Sequence, residues 1–178
     1  MKFTRAGVSV IVLSWAVLFL SIGLKGVEPA HEAIELRFSP HGGCQEEAIK
    51  QIESAKKTIH VRAYGFTSVP IGNALCEAAK RGVVVRAILD RSEKFSPHSM
   101  SATCQAAGCE IVFDASHPIS HSKVIVIDSK VSLFGSYNWT GNAEKNAETM
   151  ATVRDPRIAK ELIADFDKHH EHSHGRDE

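Results

Sequence analysis

Residues 121–138 read His121-Ser122-Lys123-Val124-Ile125-Val126-Ile127-Asp128-Ser129-Lys130-Val131-Ser132-Leu133-Phe134-Gly135-Ser136-Tyr137-Asn138. Four consecutive β-branched residues, Val124 to Ile127, predict a buried strand over His121–Ile127. Val131–Phe134 is its hairpin partner, returned by the polar turn Asp128-Ser129-Lys130. On a strand, positions i and i+2 share a face, so His121 and Lys123 are expected to project together. Gly135 allows a tight backbone at the end of the second strand. Ser136 and Asn138 then bring a hydroxyl and an amide to the same mouth.

Working outward, the chain alternates strands and helices. Ile34–Phe38 reads as a short strand, followed by a turn at Ser39-Pro40-His41-Gly42-Gly43. A helix is expected near Gln45–Lys57, with Ala48, Ile49, Ile52 and Ala55 on one face. Thr58–Tyr64 alternates as a strand. Pro70 opens a second helix that Gly82 stops, and Val83–Leu89 is a buried parallel strand. After a polar loop, a third helix covers Met100–Ala107 and a short strand Glu110–Phe113. Glu148–Val153 is the last strand. Asp155-Pro156 then caps and starts a helix whose face holds Ile158, Leu162, Ile163 and Phe166. The polar tail His169–Glu178 is expected to be loose. Such alternation defines an α/β class: a mixed, mostly central β-sheet flanked by helices.

The residue types at the mouth suit attack on a phosphodiester. That group is anionic and repels anionic nucleophiles. Lys123 can neutralise it, while Ser136 and Asn138 donate hydrogen bonds to its non-bridging oxygens. Neutral imidazole is a competent nucleophile near pH 7. A second, protonated imidazole can deliver a proton to the leaving oxygen. No ligand set for a catalytic metal accompanies these residues, so neither metal nor cofactor is expected in the reaction.

The spacing resembles the HxKx4Dx6GSxN signature of the phospholipase D superfamily. Ala63-Tyr64-Gly65-Phe66-Thr67, Lys80-Arg81-Gly82-Val83, Asn138-Trp139-Thr140 and Asn146-Ala147-Glu148 extend the likeness over roughly residues 34–168. These segments are similar to the small bacterial endonucleases of the superfamily and to mitochondrial cardiolipin hydrolases. The cysteine-rich insertion expected of the latter after the first strand is missing, which favours the endonuclease-like branch. The resemblance implies a catalytic set of His121, Lys123, Asp128 and Glu148, with Ser136 and Asn138 binding phosphate. His121 would be the nucleophile and Glu148 would orient its ring. Asp128 belongs to the signature, yet its strand parity differs from that of His121, which reads as structural.

The chain has 178 residues, enough for one domain with a real core. Formal charge is zero. Lys2, Arg5 and Lys25 lie in residues 1–25, which hold no acid, so the remainder is net acidic. A general basic footprint for nucleic acid is thereby excluded, and a polyanion must be held by a local patch. Arg62, Arg91, Lys94 and Lys145 are candidates for it. The uncharged run Ala6–Leu24 behind two cations predicts a cleaved signal or an uncleaved membrane anchor over residues 1–25, and export of the rest. Residues 26–33 read as a linker, 34–168 as the catalytic domain and 169–178 as a His-rich tail that could bind a transition metal. The four cysteines are expected either as disulfides or as buried thiols. Tyr64 could line the cleft, and Phe66 suits the core. Trp139 could stack on a substrate, pack beneath its loop, or touch a second subunit.

DNA or RNA is the expected substrate, with phospholipid head groups as the alternative. One copy of the motif occurs, whereas the reaction needs two imidazoles. A homodimer sharing one composite site is therefore expected.

Overall fold

The computed structural model describes residues 34–174. The expected signal or anchor, the linker and the last four residues lie outside them. Seven strands form one sheet: β1 (Ile34–Ser39), β2 (Thr58–Ala63), β3 (Val84–Asp90), β4 (Glu110–Asp114), β5 (Lys123–Ile127), β6 (Val131–Gly135) and β7 (Glu148–Val153). Their order is β1-β7-β6-β5-β2-β3-β4. β2, β3 and β4 run parallel, and every other pairing is antiparallel. The expected mixed central sheet is the observed one.

Four helices flank it: α1 (Cys44–Ser54), α2 (Val69–Lys80), α3 (Ser101–Ala106) and α4 (Pro156–His174). Parity along the strands assigns the two faces. Ile59, Val61, Ala63, Val85, Ala87, Leu89, Ile125, Ile127, Leu133 and Met150 join α1, α2 and α3 in the main core. The opposite face carries Ile88 and Val112, which pack with Phe166 of α4. The result is a three-layer sandwich whose sheet is apolar on both sides.

One expectation needs correction, and the open readings of Trp139 and the cysteines resolve. α4 does not stop near residue 168; it runs to His174. His170 and Ser173 are buried and continue the stripe begun by Ala159 and Phe166. His170 Nδ1 lies 3.0 Å from Arg86 Nη2, and its ring stacks on Phe166. Polar residue types at helical spacing thus hid a packed face. Trp139 is fully buried, and its Nε1 donates to Arg62 O at 3.2 Å. It packs beneath its loop, so neither substrate stacking nor a subunit contact is open to it. The cysteines resolve to the second expectation: Cys44, Cys76, Cys104 and Cys109 are free and buried. Burial pushes the Cys44 thiol up to about 11, so it is inert near neutrality. No helix among the described residues is long and apolar enough to cross a membrane.

Candidate active site

The chemistry-bearing residues gather at one end of the sheet. The register of β5 places Lys123 opposite Ala63 and Val124 opposite Phe134. Gly135 faces Met150 on β7, and Glu148 faces Ser39 on β1. The ends of β2, β5, β6 and β7 therefore present Tyr64, Lys123, Ser136 and Glu148 along one rim. Gly135 is required by the packing there: a Cβ on it would lie 2.1 Å from Thr149 O.

His121 lies two residues before β5 rather than on it. Tyr64 N donates to Ser122 O at 3.0 Å, and there the pairing with β2 ends. The expected strand start at His121 is corrected to Lys123, while both side chains still reach one place, a shared aromatic platform. The His121 ring lies 4.5 Å from the Tyr64 ring, and Lys123 Nζ lies 5.0 Å above the same ring. Lys123 Nζ also donates to His121 O at 3.0 Å. The ammonium and the imidazole thereby meet the same Tyr64 ring.

The segment before His121 is irregular but anchored. Asp90 Oδ2, at the end of β3, accepts from Ser120 N at 2.8 Å. Its Oδ1 takes Ser92 N and Ser92 Oγ. Sequence reasoning missed this carboxylate. The available signal was an acid directly after the apolar run Ala87-Ile88-Leu89, a position seldom tolerated without partners.

Burial and a nearby carboxylate act in opposite directions on the Lys123 cation. Lys123 is buried, and burial lowers its pKa from the ordinary lysine value, while the Glu148 carboxylate opposes that shift. Among the described residues no hydrogen bond joins Glu148 to His121. Glu148 accepts instead from Asn146 Nδ2 at 3.2 Å. Ser136 is exposed, and its Oγ accepts from Thr149 N at 3.0 Å, which leaves its own proton free to donate. Asn138 is half-buried, and its Oδ1 is shielded without a hydrogen-bond partner.

Asp128 is not in this group. It lies at the opposite end of β5, where its carboxylate accepts from Lys56 N, Lys57 N and Thr58 N at 2.9, 2.7 and 2.9 Å. Asp128 and Ser129 both adopt left-handed backbone, with φ of 50° and 55°, and Lys130 N closes the turn on Ile127 O. The catalytic role implied by the signature gives way to a structural one at this position. Arg62 is also withdrawn from the rim, since it pairs with Asp165 on α4.

Fold and site together define an α/β domain with an imidazole, a buried ammonium and hydrogen-bonding side chains gathered at one end of its sheet. Residues 48–170 match the family described as cardiolipin synthase, PLD-like domain. The chain belongs to the phospholipase D superfamily. A phospholipase D from Rickettsia prowazekii (strain Madrid E) is 37% identical over 130 residues, covering 72% of this chain and 63% of its own length. The match thus spans less than two thirds of that relative. A mitochondrial cardiolipin hydrolase from Xenopus laevis is 27% identical over 156 residues, covering 85% of this chain and 74% of that protein. The crystal structure of Nuc from Salmonella typhimurium, a phospholipase D family member, superposes with a TM-score of 0.73 at 31% identity. It covers 76% of this chain and 92% of its own.

Proposed function

We propose that the protein is a metal-independent phosphodiester hydrolase that acts on nucleic acid through a phosphohistidine. The observation that carries this reading is the His121–Tyr64–Lys123 arrangement, in which imidazole and ammonium share one aromatic ring. A ring nitrogen of His121 attacks phosphorus as the bond to the leaving oxygen breaks. A second, protonated imidazole gives that oxygen its proton. Water then attacks the phosphohistidine, loses a proton to the now neutral imidazole, and releases the phosphomonoester and free His121. Lys123, Ser136 and Asn138 stabilise the charge on the non-bridging oxygens.

The second imidazole is His121 of another copy in a two-fold dimer. The single motif and the exposed Phe38 beside the Ser39–Glu148 end of the sheet support that assembly. The cationic flank before residues 6–24 supports an exported enzyme.

A second reading is phospholipid head-group hydrolysis. The exposed Phe38 and Ile119 near the rim favour it, as does the likeness to proteins named phospholipase D. Purified protein is incubated in EDTA with single-stranded DNA, duplex DNA, RNA and phospholipid vesicles. Nucleic-acid cleavage in chelator is expected. Cleavage of vesicles alone selects the second reading, and activity only with added magnesium defeats the mechanism.

A further inference from the structure

Asp114, His117, His169 and His172 converge away from the rim just described. One donor atom from each lies within 4.8 Å of the others. Asp114 closes β4 with its side chain fully buried, and His117 follows on the loop toward His121. His169 and His172 stand one turn apart on α4, at the i, i+3 spacing that faces two side chains the same way. The three rings pack mutually, with centroids 4.9, 5.3 and 5.1 Å apart.

We propose that these four side chains form a binding site for a borderline transition-metal ion, Zn²⁺ being the best fit. Three imidazoles and one carboxylate are a tetrahedral zinc donor set. His117 Nδ1 is 2.9 Å from Asp114 Oδ2, and His169 Nδ1 is 3.8 Å from the same oxygen. Donors about 2.0–2.1 Å from one zinc ion lie roughly 3.4 Å apart, so two of the contacts are already at that scale. The half-exposed His117 and exposed His172 rings are free to supply the remaining contraction.

An independent observation points to a ligand. His169 Nδ1 is shielded from solvent and makes no hydrogen bond. Its other nitrogen, Nε2, faces Asp165 Oδ1 at 3.6 Å, and Asp165 pairs with Arg62. A histidine with one nitrogen on a carboxylate and the other toward a donor cluster has the arrangement of a zinc-bound imidazole. An ion here would join α4 to the loop that leads to the nucleophile, reinforcing the Ser116 Oγ contact to His172 O. The apo loop is already held by the Asp114 carboxylate, which accepts from Ser116 N and His117 N. The ion therefore adds stability and is not needed at phosphorus.

The full chain is stripped with EDTA, dialysed and titrated with Zn²⁺ against a chromophoric chelator, and with Co²⁺ followed by visible absorption. One ion per chain, a tetrahedral Co²⁺ spectrum and a rise in Tm on Zn²⁺ addition are expected. His117→Ala and His172→Ala should each weaken Zn²⁺ binding at least about tenfold. Asp165→Asn should weaken it by roughly 10–100-fold, the scale for losing a partner carboxylate. His98→Ala, at an exposed loop position, should leave binding unchanged. Zn²⁺ binding that survives in both His117→Ala and His172→Ala, or an octahedral Co²⁺ spectrum with no change in Tm, overturns the site. Circular dichroism of each variant separates lost binding from lost fold.

Discussion

The two ends of β5 put the same kinds of groups to opposite uses. At the Asp128 end a carboxylate in a tight turn accepts three backbone N–H groups. Burial alone would raise its pKa, but the donors Thr58, Lys56 and Lys57 outweigh that and lower it. At the Lys123 end the polar groups keep capacity in reserve. Ser136 keeps a proton to donate, Asn138 Oδ1 has no partner, and the Lys123 ammonium sits over a ring with one carbonyl acceptor. One end is complete without a ligand and the other is not. A signature that spans both ends mixes a folding device with a chemical one, and only the three-dimensional placement separates them.

Substitutions at the two ends should therefore fail in different ways. His121→Ala is expected to lower kcat by roughly 10⁴-fold or more, the scale of removing a nucleophile. The exposed side chain should cost less than about 0.5 kcal/mol of stability. Kinetics and urea denaturation on one preparation check both halves, and near wild-type turnover would remove His121 from the mechanism.

Lys123→Ala should cost roughly 10²–10³ in rate, as for loss of one electrostatic stabiliser. Its pKa is lowered, so Lys123 sheds its proton at a pH below 10.5. Activity that needs the ammonium must then fall on an alkaline limb below that value. Lys123→Arg should move the limb upward, because guanidinium does not deprotonate in this range. An unmoved limb assigns it to another group.

Asp128→Ala should reverse the pattern. Losing three charge-assisted hydrogen bonds is expected to cost about 1–3 kcal/mol, read from the urea midpoint. The exposed Lys56 and Lys57 amides can turn to water, which keeps the loss in that range. Its kcat should stay within a few-fold of wild type at a temperature where the variant is folded. A collapse of kcat without loss of stability would return Asp128 to the chemistry.

The smallest effect lies under α4. Burial lowers the His60 pKa, and the nearby Arg86 charge adds to this. A histidine depressed in the fold contributes its stability above its unfolded value, near 6.5, and loses it as pH falls from there toward the folded value. The urea midpoint should decline between pH 7 and 5, and less steeply in His60→Gln. Equal slopes would exclude His60 as the source.

The sheet is legible in the sequence, because Val124–Ile127 and Val83–Leu89 leave few alternatives to buried strands, and β-strand periodicity exposes parity directly. The same parity separates Asp128 from His121 on sequence grounds. Three features are hidden there. A platform such as Tyr64 depends on which strand ends meet, and the register of β2 against β5 is not written locally. The packed end of α4 is masked by histidines, which count as polar although their rings fill space. The Asp90 anchor joins residues thirty positions apart through a single amide.

That anchor has a consequence for how the proposed nucleophile is aimed. His121 sits on irregular chain, the kind of segment that normally surrenders freedom when a substrate arrives. Asp90 holds Ser120 on one side, and the β5 ladder holds Lys123 on the other. Much of the backbone freedom around His121 is thus lost when the polypeptide folds, before any substrate arrives. The chain settles that cost once per molecule rather than once per turnover.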